Sequence, residues 1–324
     1  YPPKDLLLKP AVIEECVEAV EQLAGHCTNI TAIIGFPCPS DKTRGRLLYN
    51  AAAWCTDGRV AHRYAKNLLP TYDVFDEHRY FEPGESYPMA QLDGLRIGVS
   101  ICEDLWNDDA IFERQLYHAD PIDAIAAAGA QMLINCSASP FVMGKQRFRM
   151  GLFQSAARQH RMPVVYCNQV GGNDELVFDG NSCVIGADGW LIAHAKDFEA
   201  DLLVVDLPGD GAGRIETPCE GVASAYHALV LGIRDYCRKC GFESIVLGLS
   251  GGIDSAVTCA LAVAALGPER VRGVAMPSRY SSEGSVTDAR QLAENLGVRF
   301  HTLPIDQPHR AMEALLTPHF EGRA

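Results

Sequence analysis

Basic residues are scarce in this 324-residue chain: 28 lysines and arginines face 41 aspartates and glutamates, for a formal net charge of −13. They are also scattered, so the clustered cations that grip a phosphate backbone are missing, and nucleic acid is not an expected partner. No apolar run reaches membrane-spanning length without a charge or a break, and the amino terminus lacks a basic region followed by an apolar signal core. No membrane partner is expected, and the cytoplasm is the default location. The ten histidines include no H-x-x-x-H pair, which leaves no histidine metal site. Twelve cysteines are diluted over a long chain and lie mostly in apolar runs, so they read as reduced thiols and not as a disulfide scaffold. Cys237 and Cys240 form one C-x-x-C without a second ligand pair, which fits two half-buried thiols at helical spacing.

What is present is enough for about two domains, with 48% hydrophobic and 21% charged residues. Apolar spacing predicts a helix over 11–24, and strand-like runs recur at 31–36, 60–64, 95–102, 131–136, 163–168, 182–187 and 202–206. Helices are expected at 122–128 and 145–160, and Asp188-Gly189 between Val184 and Leu191 reads as a hairpin turn. Residues 207–221 hold Pro208, Pro218, Gly209, Gly211 and Gly213, a density of turn-formers that reads as a linker. The expected division is therefore a first domain over 1–206, the linker over 207–221, and a second domain over 222–324. In the second, a helix at 223–239 leads to strands at 244–249, 271–276 and 298–303, with helices between them and one at 286–296. That order implies the start of a doubly wound parallel sheet, α/β in class and incomplete at the HFEGRA end.

The segment from Gly248 to Gly267, GLSGGIDSAVTCALAVAALG, joins a short apolar strand to an alanine-rich helix through small residues. Gly251 and Gly252 let the backbone come close to an anion, at the positive end of the helix dipole. Ser250 and Ser255 can add hydroxyl donors, and Asp254 is the candidate for the Mg2+ that accompanies a nucleoside triphosphate. No lysine occurs here, so this is not a Walker A loop. SGGIDS resembles the pyrophosphate loop of the ATP pyrophosphatase group, whose members split ATP between the α and β phosphates. The resemblance implies a Rossmann-like domain of the adenine nucleotide α hydrolase type.

A second site is suggested where the apolar run 95–102 ends in CEDLWND, which places Cys102 at a strand end beside charged residues. A thiol with a pKa near 8.5 needs a base or a cation before it attacks at neutral pH, and composition does not say which. YAKNLLPTYDVFDEHRYF over 64–81 and GVSICEDLW over 98–106 resemble the nitrilase superfamily, which attacks amides with a glutamate, a lysine and a cysteine. That resemblance implies an α-β-β-α sandwich, with Cys102 as nucleophile, Lys66 and the backbone amide of Glu103 as oxyanion donors, and Glu77 holding the lysine. It further assigns Tyr72, Glu103, Ser139 and Lys145 to glutamine binding.

The family's general base is a glutamate about half a dozen residues before the position of Tyr1, so the chain is expected to start late; Glu14, Glu15 and Glu18 follow the YPP turn and are no substitute. The two motifs in this order resemble glutamine-dependent amide ligases that join a glutaminase to an ATP-using synthetase. The resemblance implies glutamine, ATP and nicotinic acid adenine dinucleotide as small-molecule partners, Arg279 in MPSRYSS as a nucleotide contact or a salt-bridge partner, and a homo-oligomer. A different acceptor, or a non-catalytic binding module, are the competing readings.

Overall fold

A computed structural model describes residues 3–108, 111–207 and 213–320. Tyr1 and Pro2 of the YPP turn, the middle of the expected linker at 208–212, and the last four residues lie outside the described residues. The chain divides into two compact units, Tyr1–Val170 with Phe178–Glu220, and Gly171–Val177 with Gly221–Ala324.

The first unit opens with α1 (Pro10–Gly25) and a three-stranded antiparallel sheet of β1 (Ala32–Pro39), β2 (Leu48–Thr56) and β3 (Arg59–Ala65). A second sheet follows from β4 (Met89–Leu92), β5 (Leu95–Ile101), α2 (Pro121–Ala127), β6 (Met132–Ser137), α3 (Lys145–His160) and β7 (Val164–Asn168). After these come β8 (Val170–Asn173), β9 (Leu176–Asp179), β10 (Cys183–Ile185) and β11 (Leu191–His194). Its six strands run in the order β11-β10-β7-β6-β5-β4, with β5, β6 and β7 parallel, while β8 and β9 pair separately.

Alternation of side chains sorts these elements into four layers. Ala51, Ala53 and Cys55 of β2 face Val20 and Ala24 of α1. Their neighbours Ala52 and Trp54 pack with Ile97, Val99 and Ile101 of β5, which joins the two sheets face to face. On the far side Leu133, Val164 and Tyr166 meet Ile125 of α2 and Leu152 and Phe153 of α3. Gly98 of β5 permits this contact, because a Cβ there would lie 2.2 Å from Ile125 Cγ2. Each fully buried side chain of this kind contributes about 1.5–3 kcal/mol. The result is the expected α-β-β-α sandwich.

The strand expected at 202–206 does not form: Leu202 and Val204 are 83% and 76% exposed. Residues 213–216 run along β11 instead, where Gly213 N–H donates to Ile192 O and Glu216 N–H to His194 O. Strand-like alternation at 202–206 therefore had no sheet edge to join. The Asp188-Gly189 hairpin forms, with Gly186 N–H donating to Trp190 O and Gly189 at φ 84°.

The second unit contains α4 (Gly221–Cys240), β12 (Ile245–Gly248), α5 (Ile253–Leu266), β13 (Val271–Ala275), α6 (Glu283–Leu296), β14 (Arg299–Thr302) and α7 (Asp306–Leu316). Its strands are parallel in the order β12-β13-β14, and Leu249, Cys259, Ala262, Val271, Ala289 and Ala293 form its core. Residues 171–177 complete this unit: Gly172 N–H donates to Asp235 Oδ2 at 2.8 Å, and Lys239 Nζ donates to Gly172 O and Asn173 Oδ1 at 2.6 and 3.0 Å. Cys237 and Cys240 sit on the last turn of α4, the first buried and the second exposed, so the pair is not evenly half-buried. All twelve cysteines are free thiols, six of them buried. Among the described residues no helix is long and apolar enough to cross a membrane.

Candidate active site

Lys66 directly follows β3 and Cys102 directly follows β5, and both line a cavity of about 490 Å3 in the first unit. Its wall includes Lys66, Glu77, Cys102, Asn50, Phe36 and Phe75. Cys102 is the first residue of a one-turn 3-10 helix, Cys102–Leu105, and has φ 43°, a left-handed backbone that non-glycine residues adopt at a cost of about 1–3 kcal/mol. The sharp turn lifts the thiol out of the sheet and into the cavity. It is the strand-to-helix elbow geometry that exposes a nucleophile.

Lys66 and Glu77 are 1% and 3% exposed, and Lys66 Nζ lies 2.6 Å from Glu77 Oε1. Asn50 Nδ2 donates to the other carboxylate oxygen at 3.1 Å. Burial works against the lysine's charge, but the field and hydrogen bond of Glu77 and the charge of Cys102 outweigh it and raise its pKa. Burial pushes the Cys102 thiol up, Lys66 pulls it down, and the acidic side chains of Glu103 and Glu77 push it up again. The ammonium is thus the main local charge that favours a thiolate.

Glu103 is buried, and its Oε1 accepts from Tyr72 Oη at 2.6 Å and from Tyr117 Oη at 3.1 Å. Burial raises its pKa against those two donors. Ser139 is buried beside the cavity-lining Ala138, and its N–H donates to Asn168 Oδ1 at 2.9 Å. Lys145 opens α3, donates to Pro140 O at 3.3 Å and lies 5.1 Å from the centre of the Trp106 ring. Its pKa is lowered by burial, while Cys102 and Glu103 pull it up. The structure therefore gathers Cys102, Lys66 and Glu77 on the cavity wall, joins Tyr72 to Glu103, and puts Ser139 next to the lining Ala138 and Lys145 within electrostatic reach of Cys102.

Asn50, Tyr117 and Asp104 were not singled out from the sequence. Asn50 and Tyr117 reach the site from 27 and 14 residues away from their partners, a separation no local motif reveals. Asp104 stands inside CEDLWND, so a signal was there: an acid two residues after a cysteine at an apolar strand end. Glu14, Glu15 and Glu18 are exposed on α1.

In the second unit, residues 249–252 turn from β12 into α5. Gly252 N–H donates to Ser250 Oγ at 3.2 Å, and Ser250 N–H and Gly252 O both bond Ser255 Oγ, at 3.3 and 2.9 Å. Gly251 has φ 79°, and a Cβ there would lie 2.4 Å from Ser285 O. The helix N-cap, Gly252, supplies no side-chain cap, so the first amides of α5 remain open to an anion. Asp254 lies in the first turn and is exposed. Arg279 is engaged elsewhere, 2.5 Å from Glu313 of α7 and stacked 5.1 Å from the Tyr280 ring.

Two family models match the chain. The carbon-nitrogen hydrolase family model covers residues 4–215, and the NAD synthase family model covers residues 225–322. The chain is 40% identical over 330 residues to a glutamine-dependent NAD(+) synthetase of Synechocystis, across 99% of this chain and 59% of that protein. It superposes on the structure of glutamine-dependent NAD+ synthetase from Acinetobacter baumannii in complex with adenosine diphosphate with a TM-score of 0.90 and 34% identity, across 100% of this chain and 60% of that one. An amidase of Nesterenkonia whose active site cysteine has added acrylamide is 26% identical, with a TM-score of 0.51 across 64% of this chain and 75% of that chain. The chain thus spans about six tenths of the length of the curated relatives it matches.

Proposed function

The chain belongs to the carbon-nitrogen hydrolase family, and from that premise we propose that the protein it represents is a glutamine-dependent NAD synthetase. The observation that carries the reading is the buried Lys66–Glu77 pair beside Cys102, whose backbone is held at φ 43° over the cavity. Residues 1–206 form the glutaminase in this reading, and 222–324 begin the synthetase.

Cys102 Sγ attacks the side-chain amide carbon of glutamine. Lys66 and the Glu103 backbone amide stabilise the oxyanion, a task suited to a compact ammonium that cannot drift because Glu77 holds it. Ammonia leaves, and water then hydrolyses the thioester to glutamate. Glu77 does not serve as the base, since both of its oxygens are engaged, by Lys66 and Asn50. The charges of Glu103 and Lys145, which act on Cys102, suit the other end of the substrate. Glu103, steered by Tyr72, takes the α-ammonium, and Lys145 with Ser139 takes the α-carboxylate.

In the second unit the open amides of α5, with Gly248, Ser250, Gly251, Gly252 and Ser255, hold the phosphates of ATP. Asp254, exposed in the first turn, suits Mg2+, which is commonly held by one or two carboxylates together with phosphate oxygens and would neutralise charge on the leaving pyrophosphate. AMP passes to the carboxylate of nicotinic acid adenine dinucleotide, and ammonia displaces it from the acyl adenylate to give NAD. Arg279 joins the nucleotide in this reading by exchanging Glu313 for phosphate. Free thiols, half of them buried, favour a reducing cytoplasm, and the resemblance favours a homo-oligomer.

The test uses full-length protein with ATP, the deamidated dinucleotide, and either glutamine or ammonium. Cys102→Ala is expected to abolish NAD formation from glutamine and to leave ammonium-driven formation within about twofold of the parent. Mass spectrometry of the products decides it. Absence of NAD with either nitrogen source refutes the synthetase reading, and glutamine use by the variant refutes Cys102.

A further inference from the structure

Asp104 has no part in the chemistry above, yet its carboxylate is fully buried between the two strand ends that carry it. Oδ1 accepts from the backbone amides of Asn67 and Leu68 at 3.0 and 2.9 Å. Oδ2 accepts from the Ile101 amide at 3.0 Å and from the Tyr64 hydroxyl at 2.8 Å. Tyr64 Oη in turn accepts from Asn67 Nδ2 at 3.0 Å. One carboxylate therefore binds the residues on both sides of Lys66 and the residue just before Cys102.

Four donors converge on four lone-pair sites, which only an ionised carboxylate offers. An asparagine in its place presents two N–H groups to this ring, and whichever way it turns at least one backbone N–H faces another donor. The repulsion would part the β3 end from the elbow. Lys66 is the main cation acting on Cys102, so the distance between those strand ends sets how far the thiol is activated.

We propose that Asp104 is a positioning residue, a clamp that locks the Lys66 strand end to the Cys102 turn and so keeps the ammonium beside the thiol. The proposal rests on the glutaminase reading of the cavity. It differs from a general packing role in one consequence: loosening the clamp weakens activation of the thiol before it harms the rest of the molecule.

The experiment compares parent, Asp104→Asn and Tyr64→Phe in the full-length protein. Three quantities are measured: the pH profile of Cys102 alkylation by iodoacetamide, turnover with glutamine, and turnover with ammonium. Asp104→Asn is expected to shift the alkylation profile to higher pH and to lower glutamine-driven kcat roughly tenfold or more, the scale of one or two hydrogen bonds to a charged group. Glutamine KM should stay within about threefold and ammonium-driven turnover within about twofold. Tyr64→Phe removes a single donor and leaves the backbone bonds intact, so it should fold, shift the profile in the same direction and cost roughly threefold. Should Asp104→Asn fail to fold, Tyr64→Phe decides alone. The clamp is overturned if the alkylation profile does not move, or if the two turnovers fall in parallel. Cys102→Ala run alongside separates the two failures: if it still uses glutamine, the reading of the cavity fails, whatever Asp104 does.

Discussion

Lys66 and Glu77 are a buried ion pair, and such a pair is weak evidence for stability but strongly resents the loss of one member. Lys66→Met leaves the Glu77 carboxylate, among the described residues, with only Asn50 as a side-chain partner, and should lower the unfolding free energy by about 3–5 kcal/mol. Glu77→Gln strands the ammonium and should also destabilise. The double variant removes both charges, so its loss should be well below the sum of the single losses. Urea unfolding of the four proteins tests this, and additive losses would show that the two side chains do not support one another. Asp104 gives a second residue-scale prediction, with opposite signs for stability and activity. Burial pushes its carboxyl from 3.8 up to about 6, against the bonds from Ile101 and Leu68, the charge of Lys66 and the bond from Tyr64. A folded-state pKa above the unfolded one means stability that is fully present below about pH 4 and lost as pH rises through about 6, a change of about 3 kcal/mol. The ionised form is the one that clamps, so glutamine turnover should rise over the same window. Asp104→Asn should flatten that part of the stability profile, measured by urea unfolding between pH 4.5 and 7.5.

Elements were legible in the sequence where local pattern and tertiary demand agree. α3 starts and stops at Lys145 and His160 as the periodicity predicts, because Gly144 and Arg161 flank it in left-handed conformations that end a helix on either side. β2 was missed for the opposite reason. Its LYNAAAWCT is buried on both faces as the middle strand of its sheet, so it shows no alternation, and its alanines favour helix. α7 was missed because Pro308 interrupts its first turn, and β8 because VGGN reads as a turn. The glycine loop was the most readable element of all, since its glycines answer a backbone need. Gly251→Ala tests that directly. The added methyl meets Ser285 O at 2.4 Å and a φ of 79° that alanine disfavours by about 1–2 kcal/mol. Affinity for adenosine diphosphate in a calorimetric titration should fall at least about tenfold. Unchanged affinity would show that this loop does not hold the nucleotide.

At the scale of the whole molecule, the order of motifs along the chain was readable but the way the chain is shared between units was not. Boundaries drawn from composition fall at a single place, the proline- and glycine-rich stretch after residue 206, because a linker is a local feature. The second unit instead takes residues 171–177 from inside the first stretch of sequence. The reason is physical: the β8–β9 hairpin offers the Gly172 N–H, the Gly172 carbonyl and the Asn173 side chain as partners for Asp235 and Lys239 on α4. A polar group left without its partner on a packed surface costs about 1–3 kcal/mol. A piece beginning at residue 221 of the full-length protein should therefore unfold at lower urea concentration than the same piece with residues 170–179 joined to its amino terminus through a flexible linker. Asp235→Ala should erase most of the difference between the two. Equal midpoints for both pieces would mean that the hairpin contributes nothing to the second unit, and that the boundary read from composition is the energetic one as well.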